Sequence, residues 1–138
     1  MNNYVIYTDG AYSSTRNQGG IGIVILKDNK IVLQYSKMYK DVTNNKMELM
    51  AVIMAFTCIK NNVDSIEIVT DSQYVLGCAT KGWKRKKNKK LWKLFDQEYK
   101  KLQSKCSNIT WNWTHGHAEN EYNNLCDELA VNASHEIS

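Results

Sequence analysis

The sequence predicts an α/β chain, α+β in its opening part: a mixed sheet with helices packed on it, in the order βββαβααβα. Three observations lead there. Three β-rich apolar runs precede any helical pattern, strand and helix patterns alternate from there to the end, and no internal repeat or linker interrupts them. Opening strands followed by strand–helix alternation imply a mixed sheet. At 138 residues and 43% hydrophobic, the chain is read as one domain spanning 1–138, with enough apolar residues for a sizeable core.

Residues 3–9, NYVIYTD, read as a buried strand ending on Asp9. GIGIVILKD (20–28) and KIVLQYSK (30–37) are β-rich runs that meet at Asp28-Asn29, the residue types of a hairpin turn. Residues 44–60 carry Met47, Met50, Ala51, Met54, Ala55 and Cys58 at helical spacing, a core stripe. SIEIVTD (65–71) is the next strand, with Ile66, Ile68 and Thr70 alternating against Glu67 and Val69. Residues 72–80 read as a helix that Ser72 can cap. An amphipathic helix follows from Lys89 to about Gln103, with Leu91, Leu94, Phe95 and Leu102 on one side and Trp92 turned to the core. NITWNWT (108–114) alternates Ile109, Trp111 and Trp113 as a strand. The last helix covers 122–134 through Leu125, Leu129, Ala130 and Ala133, and the tail after about Ala133 is expected to fray.

Composition narrows the classes. No run of about 18 apolar residues exists to cross a membrane. The start, MNNYVIYTDG, lacks the charged and apolar regions of a secretory leader, so a cytoplasmic setting is expected. Cys58, Cys78, Cys106 and Cys126 form no CxxC pair and no zinc spacing with histidine. Cys58, Cys78 and Cys126 fall in apolar-periodic segments and read as buried thiols. The net charge of +4 is unevenly spread: residues 81–101 hold ten Lys and Arg against two acids, and the remainder is mildly acidic. That asymmetry suggests a polyanionic partner met at one place. Nothing in the sequence calls for an obligate protein partner, and a monomer is the expectation.

The chemistry points to four acids: Asp9 in YTDG, Glu48 in NNKMELMA, Asp71 in VTDSQ and Asp127 in CDELA. Asp9 and Asp71 end strand-like runs, and Glu48 and Asp127 lie in helical patterns. Brought together, such acids repel unless cations neutralise them, which makes a divalent-metal site the first hypothesis. Taken singly, each has a plainer reading. A strand-end Asp such as Asp71 commonly forms a turn or a cap, a helical Glu such as Glu48 is commonly solvated, and Asp127-Glu128 reads equally as a polar face. Met47 and Leu49 flank Glu48 and place it near the buried side. The joint occurrence carries the metal reading. Mg²⁺ takes oxygen ligands, often one or two carboxylates plus substrate phosphates. Two ions about 3.5–4 Å apart can clamp an in-line phosphoryl displacement, with no histidine or lysine nucleophile.

YTDGAY, TNNKMELMAVIMAF, TDSQYV, GHAENE and CDELA stand in the order and approximate spacing of type 1 ribonuclease H, and the chain resembles that family from about Tyr4 to Ala133. The resemblance implies the ribonuclease H-like fold, a five-stranded mixed sheet with helices on both faces. It implies an endonuclease that hydrolyses the RNA strand of RNA–DNA hybrids with two Mg²⁺ ions, Mn²⁺ being a possible substitute, and leaves 5′-phosphate and 3′-hydroxyl ends. It further implies that Asp9, Glu48, Asp71 and Asp127 are the catalytic carboxylates and metal ligands. His117, in THGHA, matches a family histidine that assists proton transfer or product departure; His115 is the neighbouring alternative, and two exposed loop histidines are the plainer one.

The same resemblance implies a substrate surface. Gly10 and Ser72 flank the acids. Asn44, Asn45 and Gln73 match residues that contact the minor groove of the hybrid, where an enzyme that tells RNA from DNA reads the 2′-hydroxyl. Amides both donate and accept there. Asn44 is also placed to cap its helix. Thr43 and Asn88 match members of a pocket for a DNA phosphate, but Asp41 stands where the family often has arginine. The loop after Asp9 is also changed, and the family asparagine in it aligns with Thr15, not Asn17. The stripe KGWKRKKNKKLW resembles a shortened basic protrusion, in which Lys84, Arg85, Lys86 and Lys87 would neutralise phosphates. Trp83 there would lie against a deoxyribose or anchor the loop.

Two other classes stay open: a non-catalytic hybrid-binding module, which loss of an acid would favour, and another nuclease of the same fold, which the hybrid-contacting amides argue against. An aspartyl-nucleophile phosphatase is excluded because Tyr7 occupies the place of the first acid in its DxD pattern.

Overall fold

The structure, a computed structural model, describes residues 2–114 and 120–136. The elements are β1 (Asn3–Ser13), β2 (Gln18–Lys27), β3 (Lys30–Lys40), α1 (Asn44–Thr57), β4 (Ser65–Thr70), α2 (Gln73–Thr80), α3 (Lys89–Lys105), β5 (Ile109–Trp113) and α4 (Glu121–Ser134), the expected order. They form one five-stranded sheet, β3-β2-β1-β4-β5. β1, β2 and β3 are an antiparallel meander, while β4 and β5 run parallel to β1. Asp28 and Asn29 turn the β2–β3 hairpin with φ of 49° and 71°, the left-handed pair that a tight two-residue hairpin turn needs.

The two faces of the sheet bury different helices. Ile6, Ile21, Ile23, Ile25, Ile66 and Ile68 face one core, shared with α1 and α3. Val24 and Leu26, with Val5 and Tyr7 beside them, face a smaller core under α4. Alternation along β1 and β2 divides the side chains this way. Both faces of β2 are covered, which is why its sequence reads as a continuous apolar run rather than an alternating one. Glycines set the depth of packing. A Cβ on Gly20 or Gly22 would run into α4 backbone at Ala130, Ser134 or Cys126. The helix therefore lies directly on the strand.

Beneath α1 and α3 the core is aromatic. Phe56, Phe95, Tyr99 and Trp111 form a set of rings with centroids 5.5–6.2 Å apart. The buried stripe of α3 follows these rings through Trp92, Phe95 and Leu102, and Leu94, expected on this side, is 37% exposed. The sequence also places the end of the first strand too early. β1 passes Asp9 and continues to Ser13, because its pairing with β2 reaches Ser13 opposite Gln18 while its pairing with β4 stops at Thr8 opposite Thr70. At the other end α4 stops at Ser134, where the sequence places its end, and the Gln18 side-chain amide donates to the carbonyls of Ser134 (3.0 Å) and Glu136 (2.7 Å). Cys78, Cys106 and Cys126 are buried free thiols, and Cys58 is half-buried. No helix among the described residues is long and apolar enough to cross a membrane.

Gly22→Ala is expected to lower unfolding stability by about 1–3 kcal/mol, the range for overpacking, because its methyl meets α4 backbone that has no rotamer to change. Urea unfolding checks this: a drop in the midpoint is expected, and an unchanged midpoint would contradict the packing described.

Candidate active site

The parallel register of β1 and β4 creates the site. Thr8 lies opposite Thr70, so Asp9 and Asp71, the next residues, emerge side by side in the same direction. β4 ends there and β1 does not, which opens a crevice at the carboxyl end of β4, the usual place for ligands in such sheets. Glu48 enters from α1, whose approach depends on Gly10. A Cβ at Gly10 would sit 2.5 Å from the Glu48 nitrogen and 2.6 Å from the Met47 carbonyl carbon. The freed Gly10 N–H donates to Asp9 Oδ1 at 2.9 Å and to Glu48 Oε1.

Asp9, Glu48 and Asp71 each offer a carboxylate oxygen within 4.8 Å of the others. Asp127 lies outside this trio. It is exposed on α4, yet near enough to help raise the Asp9 pKa. The four expected acids are thus three confined together and one at the rim. Asp9 and Glu48 are only 4% and 8% exposed. Burial first, and then the charge of Asp71, pushes the Asp9 carboxyl up to about 8. Burial and the charge of Asp9 push Glu48 well above the usual carboxylate range, and burial also raises Asp71. These acids are held where they cannot all ionise without a counter-charge.

The backbone around Asp71 is firmly fixed. Ser72 N–H donates to Thr70 Oγ1 (3.1 Å), Ser72 Oγ accepts from Val75 N–H to cap α2 (3.2 Å), and Trp113 Nε1 donates to the Asp71 carbonyl (3.3 Å). The Asp71 carboxylate is different: its Oδ1 is buried without a hydrogen-bond partner. Buried acceptors seldom stay unsatisfied. An orphaned oxygen within an all-oxygen donor set fits a hard divalent cation. Thr70 and Trp113 belong to this site, and no local motif marks either of them. The signal for both is the strand register. The neighbouring Cys126 is chemically quiet: its thiol donates to the carbonyls of Tyr7 and Gly22, and burial keeps it well above the ordinary thiol range.

A groove of about 600 Å³ opens at the start of α1, the helix that carries Glu48. Thr43, Asn44 and Asn45 at the start of α1 form one wall. Tyr74 and Cys78 of α2 line it, and Trp83, Lys84, Lys86, Lys87 and Asn88 close it from the loop before α3. Thr43, not Asn44, caps α1, with Oγ1 accepting from Lys46 N–H at 3.2 Å; the capping alternative for Asn44 is thereby removed. Asn44 and Asn45 precede Glu48 by four and three residues, so amides and carboxylate share one side of the helix. Gln73 is the exposed first residue of α2, two after Asp71.

The loop itself departs from expectation at one cation. Arg85 does not line the groove. It turns inward onto α2 and α3, where its guanidinium is engaged by Asp96, the Cys78 carbonyl and the Trp92 ring. Trp83 is both anchored and available: its ring covers Gly77, its backbone N–H donates to the Gly77 carbonyl at 3.2 Å, and the residue remains 48% exposed. Asn88 takes φ of 59° and donates through Nδ2 to the Tyr74 hydroxyl at 3.1 Å. Asp41 is also committed, accepting from Asn17 Nδ2 at 2.8 Å, so it braces the loop after β1. His115 and His117 lie outside the described residues.

Comparison with known proteins agrees with this geometry. The family model described as RNase H matches residues 1–135. A Ribonuclease H of Trichodesmium erythraeum is 40% identical across 96% of this chain and 88% of its own length. One from Desulforamulus reducens is 38% identical across 94% and 86%. Among solved structures, the N-terminal RNase H domain of a Mycobacterium tuberculosis protein superposes with a TM-score of 0.76 at 22% identity, covering 96% of this chain and 98% of that one. RNase H1 of the archaeon Halobacterium salinarum superposes at 0.71 and 26% identity, covering 95% and 96%. With this fold, these acids and these relatives, the chain is a ribonuclease and belongs to the ribonuclease H family.

Proposed function

We propose that the chain hydrolyses the RNA strand of RNA–DNA hybrids with the help of two divalent cations, Mg²⁺ or in its place Mn²⁺, and leaves 5′-phosphate and 3′-hydroxyl ends. The observation that carries this reading is the confinement of Asp9, Glu48 and Asp71 within 4.8 Å, where the carboxyls of Glu48 and Asp9 are the side-chain neighbours of a buried Asp71 oxygen that has no other hydrogen-bond partner. Asp9, Glu48, Asp71 and, from the rim, Asp127 are the residues that would hold the cations. Such ions, when bound, supply a water acidic enough to ionise near neutral pH and offset charge on the leaving oxygen.

The chain's own groups do the rest. Gly10 N–H orients two of the carboxylates by donating to both Asp9 and Glu48. Asn44, Asn45 and Gln73 stand at helix starts next to the acids, where side-chain amides can meet 2′-hydroxyls and base edges in a minor groove. Thr43 and Asn88, with Lys84, Lys86 and Lys87, line the neighbouring groove and suit the phosphates of the uncleaved strand. Trp83 offers an exposed indole face to a sugar there. His117 retains the role its motif implies, in proton transfer or product departure.

The direct test is a strand-labelled hybrid compared with duplex RNA, duplex DNA and single-stranded RNA, in Mg²⁺ and in EDTA. Cleavage confined to the RNA strand of the hybrid and lost in EDTA is expected. Equal cleavage of duplex RNA would overturn the substrate assignment. Asp9→Asn should reduce turnover by at least about a hundredfold while hybrid affinity stays close to that of the unaltered chain. Retained turnover would remove the acids from the chemistry.

Neutralising Lys84, Lys86 and Lys87 together should weaken hybrid binding and flatten its dependence on log salt, by about 0.9 for each phosphate no longer neutralised. An unchanged slope would place these lysines away from the substrate.

Stability should also report the crowded acids. A carboxyl whose pKa is higher folded than unfolded favours the folded state at low pH, and that advantage is lost as pH rises through the folded value. In EDTA the melting temperature should therefore fall as pH rises from about 4, the ordinary aspartate value, to about 8, the folded value of Asp9. Asp9→Asn should make that fall shallower, and an identical fall in the variant would contradict the assignment.

A further inference from the structure

The basic loop before α3 has a problem that its sequence does not reveal. Residues 81–88 carry five cations and no regular secondary structure. Like charges at this density repel and extend a chain. Yet Lys84, Lys86 and Lys87 all line the groove, facing Thr43, Asn44 and Asn45. Some interaction must hold them there.

Arg85, in the middle of these lysines, is placed to do so. Its Nη1 reaches both carboxylate oxygens of Asp96 at 2.9 and 2.8 Å. Its Nε donates to the Cys78 carbonyl at 3.2 Å. Its guanidinium lies 4.4 Å from the centre of the Trp92 ring and 5.8 Å from that of Phe95. One side chain thus joins the loop to the end of α2 and to the buried face of α3. Trp92 continues the connection, since its Nε1 donates to the Tyr74 hydroxyl (2.9 Å), which also accepts from Asn88 Nδ2 (3.1 Å). The groove residue Asn88 and the anchor of the lysines therefore share one framework. A lysine could not replace Arg85, because a compact ammonium has no planar fork to lie on the Trp92 ring while separate nitrogens, Nη1 and Nε, meet Asp96 and the Cys78 carbonyl.

We propose that Arg85 is the positioning residue of the substrate groove: it fixes the lysines that meet phosphate and does not meet phosphate itself. The proposal rests on the reading of this groove as a hybrid-binding surface. It makes Arg85 distinct from its neighbours in a measurable way, because only a cation that neutralises a phosphate contributes to the salt dependence of binding.

The experiment compares Arg85→Ala, Arg85→Lys and Asp96→Asn with Lys86→Ala, measuring hybrid dissociation constants over a salt series, KM, kcat and the rate of trypsin cleavage within 84–90. Arg85→Ala should raise the dissociation constant and KM by about five- to tenfold, as removal of a half-exposed ion pair and a cation–π interaction allows. It should leave kcat within about twofold and speed trypsin cleavage, and it should keep the salt slope of the unaltered chain because the released lysines still meet phosphate once the hybrid orders the loop, at a cost in affinity, whereas Lys86→Ala lowers the slope by about one. Arg85→Lys should behave as Arg85→Ala, and Asp96→Asn should shift in the same direction without touching the loop. A slope reduced by about one in Arg85→Ala with the trypsin rate unchanged would show that Arg85 meets phosphate directly and does not hold the loop, and would overturn the proposal. So would full rescue by lysine or an unchanged dissociation constant. Should Arg85→Ala not fold, Asp96→Asn decides by the same readouts. If the unaltered chain binds no hybrid, the substrate reading fails; the trypsin rates then separately decide whether Arg85 holds the loop.

Discussion

Three carboxylates confined within 4.8 Å dominate the physics of this molecule. A folded chain does not gather buried acids without a compensating interaction, because each raises the ionisation cost of the others. Gly10 N–H supplies part of the compensation, donating to both Asp9 and Glu48. The rest falls to protons or to a cation. The raised Asp9 pKa and the orphaned Asp71 oxygen are two expressions of the same unmet demand. Such a demand is what a divalent cation could meet: confined acids repel one another, and a bound cation would relieve that repulsion.

Holding the acids in place takes most of the architecture. The β1–β4 register sets Asp9 beside Asp71, and Gly10 admits α1 so that Glu48 can join them. On the other face, Gly20 and Gly22 let α4 lie on β2, which brings Asp127 to the rim. The aromatic rings below α1 and α3 hold the helix that carries Glu48, and the same layer extends through Trp92 to Tyr74, Asn88 and Arg85. Core packing, acid placement and groove shape are thus successive parts of one mechanical path. Asp9, Glu48 and Asp71 sit on or beside paired strands and a deep helix, whereas the groove-lining lysines sit on a loop tied down by Arg85.

Much of this is legible in the sequence. Element order follows from the hydrophobic patterns, and the acids stand out because each sits in a strongly patterned segment. What escapes reading has a common cause. The extension of β1 beyond Asp9 depends on pairing with β2, not on the apolar run of β1 itself. Leu94 and Phe95 are adjacent apolar residues of one helix, and only the tertiary ring cluster decides which is buried. Trp113 reaches Asp71 through strand register across 42 residues of sequence. Arg85 reads as one more cation in a basic stripe until Asp96 and Trp92 are seen beneath it. Asp41, a departure from the related pattern, gains a purpose once Asn17 is found bonded to it. In each case the local chemistry is plain from the residue and the partner is non-local.

The central claim, that the confined acids are a divalent-cation site protonated in its absence, is tested most directly by calorimetric titration of Mg²⁺ into the unaltered protein near pH 7 in buffers of different ionisation enthalpy. Binding accompanied by proton release is the predicted result, because the Asp9 carboxyl, raised to about 8, must give up its proton to become a ligand. The release should vanish when the titration is repeated well above that value. Absence of binding, or binding with no proton release at neutral pH, would contradict the account.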